Sequence, residues 1–164
     1  MKLKVIFLFL LVSVLANSGC SLLPKITIID DPLSKEEHFN FGLAYENEGD
    51  LVLAEKEYRL ALPKAEAYLA LGNLAYQRDG DPKEAESNYR RALSREKLPA
   101  AANNLAWLLL VEGGDLNEAL ELANLAVLEG QKRGLPSKLM DNYKSTLAQI
   151  QKAILESSKA FAPK

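Results

Sequence analysis

The 164-residue chain is 48% hydrophobic and 26% charged, enough apolar material for one packed domain plus a leader or tail, and too much for disorder. Its net charge is −2, falling to −4 once a leader carrying Lys2 and Lys4 is removed, and no basic cluster exceeds Lys132-Arg133. That excludes a nucleic-acid surface, which needs a dense cationic face to displace counterions. Cys20 is the lone cysteine, so no intrachain disulfide can form.

In chain order, Lys2 and Lys4 precede an apolar run from Val5 to Ala16. Twelve residues are too few to span a bilayer as a helix, which takes about 20, so the run reads as a secretion leader. The stretch Val14-Leu15-Ala16-Asn17-Ser18-Gly19-Cys20 resembles a bacterial lipoprotein signal. The resemblance implies a signal peptide over 1–19, with the Cys20 sulfur as lipidation site. Asn17 departs from the leucine usual three residues before that cysteine, and Val14 with Ala16 also suits an ordinary signal-peptidase cut after Ala16. Ser21 rather than Asp after Cys20 implies delivery to the outer membrane, facing the periplasm. Several acyl chains anchor firmly where one is marginal. Residues 20–33 then read as the acylated N-terminus and a tether, with Pro24, Pro32 and an isolated strand-like stretch at Ile26-Ile29.

From Ser34 the chain compares with itself. Gly72 to Ala106, Ala85 to Ala119 and Ala92 to Ala126 are each 34 residues apart; Gly42 to Gly72 is 30, and Ala54 to Ala85, Tyr58 to Tyr89 and Ala61 to Ala92 are 31. Gly-Asp steps recur at Gly49-Asp50, Gly80-Asp81 and Gly114-Asp115. Each is a helix stop followed by a helix start: glycine tolerates the left-handed C-terminal conformation, and the aspartate accepts orphan N–H groups of the next helix. Pro82 suits a first helical position, Glu84 and Glu118 suit a third, and Ser34 with Glu37 forms a capping box.

These residues resemble the tetratricopeptide repeat family, whose period is a 34-residue helix-turn-helix. Small Gly42, Gly72 and Ala106 follow large Phe41, Leu71 and Leu105 on the first helix of each repeat. The second helix carries Ala54-x3-Tyr58-x2-Ala61 and Ala85-x3-Tyr89-x2-Ala92, with Ala119, Ala123 and Ala126 in the third copy. Where the family has Trp early in the first helix, this chain has His38, Tyr68 and Ala102, and the repeat-ending proline is displaced to Pro63 and Pro99. The expected fold is therefore all-α: a short right-handed superhelix of three helix-turn-helix repeats at 34–62, 65–94 and 99–128. A turn-rich loop at Gly130–Gly134 and a C-terminal capping helix complete the segment 129–164. That helix should open at Pro136-Ser137, end near Ser158, and bury Leu139, Tyr143, Leu147, Ile150 and Ile154. A solenoid needs such a cap, because its last repeat otherwise exposes its core face.

Catalysis is not expected. His38 is the single histidine and sits at a packing position, with no metal-ligand spacing around it. Glu36-Glu37 are neighbours in sequence and do not share a helix face. No phosphate loop, catalytic residue, cofactor or metal is expected. What the resemblance implies is a concave groove lined by first-helix residues: Phe39, Leu43 and Glu46; Leu69, Asn73, Tyr76 and Gln77; Asn103, Asn104, Trp107 and Val111. Asn73 and Asn104 match asparagines that clamp a terminal carboxylate in chaperone-binding relatives, but Leu69, Asn142 and Thr146 replace the clamp's cations. The expected function is a membrane-anchored adaptor in cell-envelope assembly, holding a protein or peptide segment with apolar anchors. A purely structural self-association module is the competing expectation, and an envelope enzyme a third.

Overall fold

A computed structural model describes residues 31–160, and these residues form seven α-helices and no strand. They are α1 (Lys35–Glu48), α2 (Leu51–Leu60), α3 (Ala65–Gln77), α4 (Pro82–Arg95), α5 (Pro99–Val111), α6 (Leu116–Lys132) and α7 (Ser137–Ala160). Helices α1–α6 are three antiparallel pairs, each packed on the next, and α7 lies against both α6 and α5. The leader, Cys20 and nearly all of the tether, including Ile26–Ile29, lie outside the described residues.

The helix starts are those written in the sequence. Ser34 and Glu37 form the reciprocal capping box, and the Asp50, Asp81 and Asp115 side chains accept backbone N–H groups at the starts of α2, α4 and α6. Glu84 and Glu118 differ from expectation. Their backbone N–H groups are capped, but their carboxylates reach out to Arg59 and Arg90 on the preceding repeat. Arg59 and Arg90 stand 31 residues apart and Glu84 and Glu118 stand 34 apart, so one ion pair is used at both junctions. Its Arg90 member lowers the Glu118 pKa. Both pairs are solvent-exposed, and each contributes at most about 1 kcal/mol.

The third turn departs from the Gly-Asp pattern. Gly113, not Gly114, adopts the left-handed conformation at φ 73°, as Gly49 and Gly80 do at 84° and 62°. Gly114 donates to the Leu109 carbonyl at 2.8 Å, which closes the end of α5 and leaves one further residue before α6.

Two small residues of the first helices, Gly42 and Gly72, let the second helix of the same repeat approach closely. A Cβ at Gly42 would lie 2.4 Å from the Tyr58 ring, and one at Gly72 would lie 2.5 Å from the Tyr89 ring. Each tyrosine thus lies flat on the glycine of its own repeat. Both rings also pack across the junction, Tyr58 against Ala70, Leu71 and Leu74, and Tyr89 against Leu105 and Ala106. Leu71 and Leu105 are core residues, whereas Phe41 is 45% exposed because no described repeat precedes the first. His38 is buried with its Nδ1 2.7 Å from Glu57, a packing position as expected. Pro63 lies in the turn between α2 and α3, and Pro99 opens α5 instead of closing a repeat.

Two expectations about the C-terminal segment are overturned. Residues 130–132 are not loop but the last turn of α6, and Gly130 is buried beneath α7, where a Cβ would lie 2.7 Å from Met140 Sδ. Its missing side chain serves helix–helix approach, not a turn. Met140 consequently takes the buried place assigned to Leu139, which is 37% exposed. The buried stripe of α7 is Met140, Tyr143, Thr146 and Ile150, with Leu147 and Ile154 partly covered.

Candidate functional site

The first helices α3 and α5 and the terminal helix α7 lie on one face and enclose a pocket of about 270 Å³. Asn73, Tyr76 and Gln77 from α3 line it, with Asn103, Asn104, Trp107 and Leu108 from α5. Tyr89 of α4 and Thr146 of α7 complete it. Six of the expected groove residues meet here: Asn73, Tyr76, Gln77, Asn103, Asn104 and Trp107. Phe39, Leu43 and Leu69 do not line this pocket. Phe39 packs on Tyr58 with ring centroids 5.7 Å apart, Leu69 packs against buried clusters, and Leu43 is 39% exposed on α1. Glu46 accepts a hydrogen bond from the Tyr58 hydroxyl, and Val111 is exposed.

The polar floor is a small network centred on Asn73. Its Oδ1 accepts from the Tyr89 hydroxyl at 3.0 Å and from Asn104 Nδ2 at 2.9 Å. Two bonds fill the lone pairs of that carbonyl, so the Asn73 carboxamide is held in one orientation. Tyr89 reaches it because the ring is pressed against Gly72, one residue earlier on α3. Burial, the largest cause, pushes the Tyr89 hydroxyl up to about 12, which keeps it a neutral donor throughout the physiological range.

The sign of the resulting pH dependence is definite. A tyrosine whose pKa is higher folded than unfolded contributes stability that is complete below pH 10 and lost as pH rises through 12. Alkaline unfolding is therefore expected to begin above pH 10, and Tyr89→Phe should reduce this slope. Denaturation midpoints measured between pH 9 and 12 test it; an unaltered slope in the variant contradicts the assignment.

The wall is aromatic. Tyr76 and Trp107 meet edge to face, with centroids 5.3 Å apart and planes at 86°. Trp107 is only partly buried and belongs to none of the four buried clusters. It is a pocket residue rather than a core one. Next to it, Asn103 Oδ1 is buried and has no hydrogen-bond partner among the described residues. An unmatched buried acceptor costs about 1–3 kcal/mol, so its place in a pocket wall is informative.

Three lining residues were not among those read from the sequence as groove positions. Tyr89 is the second-helix aromatic of the repeat, whose ring signals packing; only the distance to Asn73 reveals that its hydroxyl serves the pocket. Leu108 follows Trp107 on an almost wholly apolar helix. Thr146 arrives because α7 occupies the place of a further first helix, a similarity visible in its Thr146-Leu147-Ala148 step.

Residues 65–97 match the tetratricopeptide repeat model. The match spans α3, α4 and the turn after them, the repeat that supplies Asn73, Tyr76, Gln77 and Tyr89. With a helix pair packed on either side of it and a seventh helix at the C-terminal end, the fold is an all-α helical repeat of the tetratricopeptide type. Repeats of this kind generally mediate protein–protein interaction. No curated protein matches the chain. Among the described residues no helix is long and apolar enough to cross a membrane, and no group of three or more His, Cys, Asp or Glu residues could hold a metal ion.

Proposed function

We propose that this chain is a non-enzymatic, membrane-anchored adaptor of cell-envelope assembly that holds a segment of a partner protein in the α3–α5–α7 pocket. The observation that carries the binding role is Trp107, a half-buried aromatic on a pocket wall above an ordered amide floor. Tryptophan and tyrosine are enriched among the residues that carry most of the binding energy at an interface. Trp107→Ala is expected to weaken partner binding by about 2 kcal/mol or more while the melting temperature changes little. Titration calorimetry of the partner segment against both proteins measures the first, since the variant has no tryptophan to report, and thermal unfolding measures the second. Full retained affinity in both Trp107→Ala and Asn104→Ala removes the pocket from the proposal.

The anchoring part rests on Gly19-Cys20 at the end of a leader-like run. Mass spectrometry of the mature N-terminus is expected to find acylated Cys20, on the periplasmic side of the outer membrane. Cys20→Ser should release the protein to the soluble fraction with its helicity unchanged. A mature chain that starts at Asn17 instead ends the lipidation reading.

A second reading, self-association, draws on the open end of the first repeat. Leu33, Asn40, Phe41 and Ala44 form a shallow apolar depression there, with Glu37 at its edge. A mass by light scattering that rises with concentration, and that Phe41→Glu returns to the monomer, favours this reading over a groove ligand.

A further inference from the structure

The chemistry of the pocket narrows what it can hold. None of its nine lining residues is Asp, Glu, Lys, Arg or His. A carboxylate drawn into it loses water and meets no cation. An ammonium or guanidinium loses water and meets no anion. Buried charge without a partner is strongly disfavoured, so neither kind of side chain suits the site. Hydrogen-bonding capacity is nonetheless left over. The Asn73 oxygen is fully used, by Tyr89 and Asn104. Asn103 Oδ1, on the same pocket, is the one buried side-chain N or O atom among the described residues with nothing donating to it. The last torsion of an asparagine is soft, so the carboxamide can turn that oxygen toward an incoming donor.

The space is also limited. About 270 Å³ lies just under the range of sites for drug-sized molecules, room for one large side chain and the peptide unit beside it. The apolar part of that space is walled by Tyr76, Trp107 and Leu108.

Resting on the groove reading above, we propose that the pocket selects an uncharged peptide segment. One apolar or aromatic side chain of the segment lies against Trp107, and an adjacent main-chain or carboxamide N–H donates to Asn103 Oδ1. The polarity is the reverse of a carboxylate clamp: this pocket offers an unmatched acceptor where a clamp offers cations. A free C-terminus, whose charge meets no cation here, is therefore disfavoured, and an internal stretch of the partner chain is the segment that fits.

Two small probes separate these cases. N-acetyl-phenylalaninamide carries the side chain and a terminal carboxamide donor; N-acetyl-phenylalanine carries the same side chain and a carboxylate. Each is titrated at pH 7 and equal ionic strength into the full chain, with emission read from Trp107, its single tryptophan. The amide is expected to bind at least fivefold more tightly than the acid. Asn103→Leu should abolish that preference, and Asn103→Ala serves where leucine disturbs folding, checked by the melting temperature. Equal or tighter binding of the acid overturns the selectivity and leaves the groove standing. A preference that survives both Asn103 substitutions overturns the role of that side chain. Silence of Trp107 toward both probes also overturns the proposal; a partner segment that then crosslinks to another face takes down the groove reading with it.

Discussion

Gly72→Leu is expected to lower folding stability by about 3 kcal/mol, the upper part of the range for overpacking a filled interior. A Cβ at this position would stand 2.5, 2.7 and 3.2 Å from three atoms of the Tyr89 ring, and leucine adds three more carbons beyond it. The ring has nowhere to go. Tyr89 is 4% exposed, packed among Leu105, Ala85 and Ala106, and its hydroxyl is tied to Asn73. Relief therefore requires α3 and α4 to separate, or Tyr89 to abandon Asn73. Either response disturbs the pocket floor, so the variant should lose ligand response at Trp107 as well as stability. Gly72→Ala gives the milder case, because the better helix propensity of alanine, about 1 kcal/mol, offsets part of the clash. Denaturant midpoints for the three proteins test the order Gly, Ala, Leu. A leucine variant with an unchanged midpoint places Gly72 on another face.

Ile150→Ala is the second large effect, at about 2–5 kcal/mol for a core truncation. Ile150 is fully buried on α7 and shares one cluster with Leu105, Ala119 and Ala123. A terminal element of a repeat array can detach alone, since each unit contacts only its neighbours. Here detachment is expected to be visible at the pocket, because Thr146 leaves with α7 and Trp107 gains water. The variant should show red-shifted tryptophan emission together with a lower unfolding midpoint. Unshifted emission with an unchanged midpoint means that α7 is an appendage and not part of the core.

The legible part of this fold was local. Capping aspartates and the Ser34–Glu37 box are short-range devices with fixed spacing, and each is readable from residue type, whereas the seating of Tyr58 on Gly42 and of Tyr89 on Gly72 is not. What escaped depends on facing elements. Gly130 looks like a turn residue, and only Met140 opposite it shows that the missing side chain serves close approach. For the same reason Leu139 has the right spacing for a core residue, but the gap it would fill lies under Met140. The Gly-Asp step points to Gly114 as the left-handed residue because it precedes Asp115, whereas a double glycine lets the helix stop one residue earlier. Glu84 and Glu118 fit a capping pattern equally well whether the carboxylate turns back or reaches across, and arginines on the neighbouring repeat decide it. Of the candidate site, Asn73, Tyr76, Gln77, Asn103, Asn104 and Trp107 are legible through the resemblance to the repeat family, and Leu108 is not. The place of Thr146 on α7 is legible in its Thr146-Leu147-Ala148 step, but the unmatched oxygen of Asn103 is not, since it depends on what stands around it in the pocket.

The two junctions of the array are built alike on one side and differ in length on the other. α2 has 10 residues and α4 has 14, so the first repeat is about one helical turn short, while the Arg59–Glu84 and Arg90–Glu118 pairs occupy matching places. Residues 65–98 thus keep the full 34-residue length of a repeat and the first repeat does not. An extra copy of 65–98 spliced in after Leu98 would meet its own complement at both seams: Arg90 of one copy faces Glu84 of the next. It would also carry another Asn73, Tyr76 and Tyr89 into line with the first set. Such a duplication would lengthen the array without copying the whole pocket, because Asn103, Asn104 and Trp107 come from α5, outside the duplicated stretch.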